Sequence, residues 1–249
     1  MEKLLLSILI FINAFLSAQT VTVPSGSFMM GSKNGEADEN PEHVVTLSTF
    51  KINTFEITEA QYDSCVKAKR CTPAHYDDEK CIAWNGKSFR KVIVPDLYRN
   101  PGLPVQCVTW YQAQSYCKWK KMHLPSEAQW EYAATGGKKV DYSWGNSVPD
   151  MKKCSYAPVG NPSRTGSYAP NCWGLHDMTG NAWEWTADNY DKSYYSYSET
   201  KDPAGPQTSL YKVIRGGGWY SGPSQLRVTN RHWFSPDFAE VSIGFRCVQ

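Results

Sequence analysis

LPSEAQWEYAATGG, residues 124–137, spells out one short helix together with both of its ends. Ser126 offers a hydroxyl to the first turn, and Gln129, three residues on, can reach back to the Ser126 amide, the reciprocal pattern of a capping box. Trp130, Ala133 and Ala134 follow at helical spacing, and Gly136-Gly137 supplies a stop. The same grammar recurs in Thr58-Glu-Ala-Gln61, followed by Tyr62, Cys65 and Val66, and in Thr109-Trp-Tyr-Gln112, followed by Ala113, Tyr116 and Cys117. Two or three short helices are therefore expected. Strand candidates around them are brief and scattered, at residues 27–30, 43–52, 183–186, 212–215 and 244–248. The stretch 72–104 mixes Pro, Gly and charge with little periodicity. No repeat or domain boundary is visible. The chain reads as a single α+β domain of low regular secondary structure, its loops pinned by disulfides.

Composition narrows the function classes. The 249 residues carry 26 basic and 24 acidic side chains, a net charge of +2, which is no footprint for nucleic acid. Ten Trp and fifteen Tyr favour a loop-rich fold packed by large planar side chains. The first 18 residues combine Lys3, an apolar run from Leu4 to Phe15 broken by Ser7 and Asn13, and small residues at Ser17 and Ala18. This is the pattern of a cleaved secretory signal, residues 1–18, leaving a domain over 19–249. An uncleaved anchor is the alternative, although the run is short for a membrane span. No stable span is expected after cleavage, and no cysteine follows the cut to carry a lipid. The expected location is outside the cytoplasm: periplasmic or extracellular in a bacterium.

All eight cysteines (65, 71, 81, 107, 117, 154, 172 and 247) lie in the mature part. An even count in an exported chain suggests up to four disulfides and leaves their connectivity open. A zinc site competes weakly, because there is no CxxC and the five histidines show no HExxH spacing.

Several further stretches, read in order, resemble a known family. VPSGSFMMGS (23–32), ADENPEHVVTL (37–47), FEITEAQYDSCV (55–66), PVQCVTWYQAQSYCKW (104–119), LPSEAQWEYAATGG (124–137), WGLHDMTGNAWEWT (173–186), RGGGW (215–219) and GFRCV (244–248) are similar to the successive blocks of the formylglycine-generating enzyme, or sulfatase-modifying factor, domain. The resemblance covers nearly all of the mature chain. It implies a variant of the C-type-lectin-like fold, often supported by calcium. The family's enzymes use copper and oxygen to oxidise a cysteine in a sulfatase CxPxR segment to formylglycine, whereas relatives put the same fold to other work, ligand binding included. Membership therefore fixes fold more firmly than activity.

The resemblance can be tested residue by residue. In the family's enzymes the glycine-rich strand leads to two cysteines, and laying RGGGWYSGPSQLR on that pattern puts Ser221 and Leu226 at those positions. Copper(I) is a soft ion held by thiolates, which neither a hydroxyl nor an isobutyl group replaces. Copper is therefore not expected, and no cysteine between Cys172 and Cys247 could restore the pair. Ser221 as a nucleophile would need an oriented base, with His232 or His176 the candidates; the plainer reading is a loop serine satisfying backbone groups beside Gly222-Pro223.

The calcium positions of the family correspond here to Asp177, Gly180, Ala182 and Glu184, all able to present hard oxygen donors. In the alternative reading Asp177 caps a turn and Glu184 pairs with a buried arginine, Arg215 or Arg246. A second calcium site of the family has no clear counterpart in residues 152–168. The resemblance also implies a Cys117–Cys247 bridge; by parsimony Cys65 would pair with Cys71, Cys81 with Cys107 and Cys154 with Cys172.

NYDKSYYSYSE (189–199) alternates tyrosine with serine and charge, a composition that suits recognition loops. Tyr194, Tyr195 and Tyr197, with Trp219 and Tyr220, are thus candidate ligand contacts, although the rings could equally lie over the core. Two functional expectations follow. The first is a calcium-supported binding or assembly module, without formylglycine-generating activity, for an unknown protein or small-molecule ligand. The second is an oxidoreductase of the same superfamily with a different site, iron being one option; the sulfoxide synthases of the family, however, draw iron-binding histidines from a separate helical domain for which this chain has no room.

Overall fold

Each of the three capping boxes closes in the structure, a computed structural model that describes residues 19–157 and 160–249. The signal expected over residues 1–18 lies outside the described residues. Helix α1 spans Glu59–Lys67, α2 Trp110–Trp119 and α3 Glu127–Thr135. At α3 the Ser126 hydroxyl accepts from the Gln129 amide at 3.1 Å, while the Gln129 side-chain carbonyl accepts from the Ser126 amide at 2.9 Å. Gly136 then ends the helix at φ 63°, in the left-handed region. Of its residues only Gln129 escapes burial, which explains the small Ala128, Ala133 and Ala134. The helix packs against β2 (Gly26–Met30), β3 (His43–Leu47), β7 (Trp183–Asn189) and β8 (Lys212–Arg215).

Four small sheets surround the helices. β1 (Thr20–Val23) pairs antiparallel with β4 (Phe50–Asn53), and β2 pairs antiparallel with β3. The run expected at 43–52 is thus two strands with different partners. Ser48 marks the break, because the Asp202 carboxylate accepts from both its amide and its hydroxyl at 2.7 Å. The largest sheet has the order β11-β7-β8-β9, with β9 at His232–Phe234 and β11 at Ile243–Gly244. The last sheet joins β10 (Ala239–Glu240), β5 (Cys81–Trp84) and β6 (Phe89–Lys91), so 72–104 holds a hairpin that its periodicity concealed. Of the strand expected at 244–248, only its first residue is in β11. Beyond it Val248 and His123 exchange backbone hydrogen bonds in a bridge, at 2.7 and 2.9 Å.

Two apolar clusters form the main core. One centres on Trp130, with Phe28, Val45, Ile52 and Met178; the other centres on Trp185, with Tyr62, Tyr116 and Phe245. Buried charge runs between them. The Arg215 guanidinium holds Glu127 at 2.9 Å and also contacts Glu131, and Arg231 grips Glu127 through two bonds at 2.8 and 3.0 Å. Ion pairs this deep need full hydrogen bonding to offset their desolvation. Glu131 takes a further bond from the Gly31 amide at 2.9 Å.

Three disulfides form, Cys65–Cys71, Cys81–Cys107 and Cys117–Cys247. The fourth expected bridge does not: Cys154 and Cys172 are both free, the first buried and the second exposed. Asn171 fastens the Cys172 turn to the end of α3 by donating to the Ala133 carbonyl at 2.7 Å. Cys154 instead packs with Tyr142 and Leu226 beside Gly180. The two thiols are anchored to different parts of the fold, so parsimony in pairing misled. Among the described residues no helix is long and apolar enough to cross a membrane.

Candidate functional site

β8 delivers the chain from the buried Arg215 into Gly216, Gly217 and Gly218. Gly216 and Gly217 have φ of 98° and 77°, a region that L side chains rarely enter. A Cβ on Gly216 would sit 3.0 Å from the Trp130 ring, one on Gly217 2.6 Å from Leu226 and one on Gly218 2.7 Å from the Ser242 hydroxyl. The glycines therefore let the strand end pass between α3, the 223–226 turn and the segment before β11.

Trp219 and Tyr220 then turn toward different partners. Trp219 stacks on Tyr98 at 5.7 Å between centroids, and its indole N–H donates to the Gln106 side chain at 3.3 Å and the Val241 carbonyl at 3.2 Å. The Tyr220 hydroxyl donates to Glu240. Ser221 is 1% exposed, and its hydroxyl accepts from the Gly218 amide at 3.0 Å. Leu226 is fully buried. Neither imidazole proposed as a base is bonded to Ser221. His232 Nδ1 accepts from the Trp233 amide at 2.7 Å, and His176 Nδ1 donates to the Tyr168 carbonyl at 2.8 Å. Ser221 is thus the backbone-satisfying loop serine, tying its own turn.

Beside it opens a cleft of about 360 Å³. Ser221, Tyr220 and Gln225 form one side, Trp183 and His232 come from the central sheet, Trp84 and Phe89 from the β5–β6 hairpin, and Phe234 and Glu240 complete it. Glu240 is 1% exposed, and burial pushes its carboxyl up to about 7 against the bonds it accepts from Tyr220 and Ser242. Burial also lowers the His232 imidazole below its ordinary value, so it is neutral at pH 7. Glu240 lies in a segment with neither motif nor spacing, and Trp84 and Phe89 flank Asn85-Gly86, a hairpin turn signal that says nothing of the cleft the two rings line.

The second candidate region lies in the turn before β7. Asp177, Gly180 and Asn181 all have positive φ, at 56°, 82° and 67°, and a Cβ on Gly180 would meet the Ser155 carbonyl at 2.4 Å. One Asp177 carboxylate oxygen accepts from the Gly166 amide at 2.6 Å; the other, Oδ1, is buried with no hydrogen-bond partner. Glu184 is clasped by Arg246 through two bonds of 2.7 Å and accepts from the Trp130 indole at 2.8 Å. The pairing with Arg246 is therefore present.

A third carboxylate, Glu56, is 1% exposed and accepts from the Asn181 side chain at 2.8 Å and the Ala182 amide at 3.1 Å. Burial, then repulsion from Asp177 and Glu184, holds its carboxyl well above the ordinary range. Three carboxylates gather near one guanidinium, which bonds only Glu184 of the three, and one Asp177 oxygen is orphaned. Of the expected calcium set, Asp177 therefore keeps one free oxygen for a hard cation, whereas both Glu184 oxygens are already engaged by Arg246. Among the described residues no group of three or more His, Cys, Asp or Glu side chains is arranged to hold a metal ion.

Tyr194 and Tyr195 are not surface contacts. Their exposures are 6% and 2%; the Tyr195 hydroxyl donates to Glu127 at 3.3 Å and its ring lies under Arg231. Arg231 holds Tyr195 in place, since a buried guanidinium takes an aromatic face as well as carboxylates, whereas the Tyr194 hydroxyl accepts from the Gly205 amide at 3.2 Å. Tyr197 is exposed and donates to Asp191 at 2.7 Å.

The sulfatase-modifying factor enzyme 1-like domain matches residues 13–249. The chain belongs to the sulfatase-modifying factor family. A formylglycine-generating enzyme of Streptomyces coelicolor is 32% identical over 91% of this chain and 88% of its own length. A serine/threonine-protein kinase, Pkn1 of Chlamydia trachomatis, is 34% identical over 94% of this chain, which spans only 38% of that protein's length. The solved structure of PvdO from Pseudomonas aeruginosa shares the fold at 26% identity, with a TM-score of 0.75, 92% of this chain and 93% of that one covered. In this sulfatase-modifying factor domain the RGGGW, GFR and WEW blocks supply Arg215, Arg246 and Glu184, which act as buried ion-pair partners.

Proposed function

We propose that this domain is an exported, calcium-supported binding or assembly module that does not generate formylglycine. The observation that carries the reading is the occupancy of the glycine-loop positions. Ser221 and Leu226 stand there, the first tied to Gly218 and the second packed on Tyr142 and Cys154, so no thiolate pair faces the cleft. The free thiols do not substitute for it. Burial pushes the Cys154 thiol up to about 12, far from the thiolate form, and Cys172 lies at the end of α3. The three disulfides support export, since such bonds persist in oxidising compartments. The orphaned Asp177 oxygen supports calcium.

The test incubates the purified protein with a CxPxR peptide, copper and oxygen, and looks for peptide aldehyde by mass spectrometry. No aldehyde is expected, and aldehyde above a protein-free control would overturn the reading. Calcium is checked separately by thermal unfolding. A ligand specific to the folded state, present at a hundred times its dissociation constant, stabilises by about 2.7 kcal/mol. The melting temperature should rise with calcium, fall with chelator and lose that response in Asp177→Ala; identical curves with calcium and chelator would remove the calcium part.

A further inference from the structure

The cleft beside Ser221 has an unusual balance of chemistry. Its walls are aromatic and continuous. Trp84 meets Phe89 at 5.1 Å between centroids, Phe89 stands edge-on to Phe234 at 5.9 Å, Phe234 stacks on His232 at 5.0 Å, and His232 meets Trp183 at 5.5 Å. Trp84 and Phe89 are 47% and 43% exposed, although large aromatic side chains usually find cover within a fold. Among the described residues no lysine or arginine lines the cleft. Its one acidic residue, Glu240, is buried, accepts hydrogen bonds from Tyr220 and from the Ser242 amide and hydroxyl, and has no ion-pair partner.

Such a site discriminates by charge. An anion would meet aromatic faces and a carboxylate with nothing to balance it. A neutral apolar group would gain the walls and leave Glu240 unanswered. A soft, weakly hydrated cation gains both, because aromatic faces attract cations and a buried carboxylate lacks only a counter-charge. The volume of about 360 Å³ is small, on the scale of one compact headgroup or one side-chain end.

Building on the reading of this domain as a binding module, we propose that the cleft binds an alkylated ammonium group, caged by Trp84, Phe89 and Phe234, with Glu240 as its counter-ion. The group can arrive as a free quaternary amine or at the end of a methylated lysine side chain, and the chemistry of recognition is the same. Binding should also depend on pH in a definite sense. Glu240 titrates at about 7, so a cation that needs its charged form binds more tightly as pH rises through that value. The other titratable groups facing it stay neutral in this window, Tyr220 because its phenol is raised above its ordinary value and His232 because its imidazole is lowered.

Calorimetric titration with choline, with its uncharged isostere 3,3-dimethylbutan-1-ol and with a trimethyllysine peptide tests this on the intact protein. Choline or the peptide is expected to bind at least about tenfold more tightly than the isostere. Glu240→Gln should erase that preference and flatten the pH dependence. Trp84→Ala, at a half-exposed position, should weaken the cation about tenfold while leaving the melting temperature close to the parent's. Binding of the peptide alone would assign the source to protein, and binding of choline alone to a small molecule. Equal binding of choline and isostere would overturn the charge argument while leaving the cleft a ligand site. No binding by any of the three would also overturn it, without touching the aldehyde and calcium tests.

Discussion

Asp188 shows what burial does to a single side chain in this protein. It is 2% exposed, and its carboxylate accepts from the Glu127 amide at 2.8 Å, at the first turn of α3. Burial, followed by repulsion from Glu127, pushes it from an ordinary 3.8 up to about 7. A carboxyl raised in the folded state costs nothing while it is protonated in both states. The cost grows once the unfolded chain ionises and levels off above the folded value. Asp188→Asn, which keeps an acceptor for the Glu127 amide, should therefore gain stability relative to the parent as pH climbs from about 4 to about 7, and then run parallel to it. Urea unfolding at a series of pH values reads the gap. A constant gap across the range would mean that Asp188 is not a buried, titrating group. The same residue scale explains why Glu184 and Arg246 stand out in the sequence: each is the other's counter-charge in a place without water.

At the scale of elements, the segment that follows β8 is the most tightly constrained. Gly217 combines a φ of 77° with a Cβ position 2.6 Å from Leu226 and 3.0 Å from the Gln225 carbonyl. Gly217→Ala must strain the backbone and push the 223–226 turn, at a cost of about 1–3 kcal/mol. Gly222, whose surroundings are open and whose φ is −78°, is the internal control; Gly222→Ala should change the denaturant midpoint little. Equal losses at both positions would show that the triplet has no special steric role. The helices belong to this scale too. Their caps were legible because a capping box is local, its donors and acceptors three residues apart. The β5–β6 hairpin has a local signal in its Asn85-Gly86 turn, but the pairing of β5 with Ala239 and Glu240, more than a hundred and fifty residues away in the chain, was not legible, and alternation in so short a strand is faint.

The whole molecule is closed by covalent links between distant parts. Cys117–Cys247 spans 130 residues and fastens α2 to the C-terminal segment that also bridges to His123 and Ile52. Loops of this size bring roughly 4 to 5 kcal/mol in the chain-entropy account of cross-linking. The thiol count checks the whole arrangement without mutation. In the absence of reductant the denatured chain should titrate two thiols, Cys154 and Cys172, and the native protein only the exposed Cys172. No reactive thiol after denaturation would restore the fourth bridge, and four or more would mean that one of the three is absent.

The sequence by itself determined the helices with their caps, the family and hence the fold, the absence of thiols after the glycines and, through the family resemblance, the pairing of Cys117 with Cys247. These are local patterns or ordered blocks, and they survive being read one residue at a time. Only the tertiary structure decided that Cys154 and Cys172 stand apart, that Tyr194 is buried and Tyr195 lies under a buried cation, that Glu56 joins Asp177 and Glu184, and that Glu240 and Trp84 line one cleft. Each depends on segments far apart in the chain being brought together and away from water. Burial sets a carboxyl's charge and makes a ring either a wall or a core, and it is a property of the packed fold rather than of any one stretch.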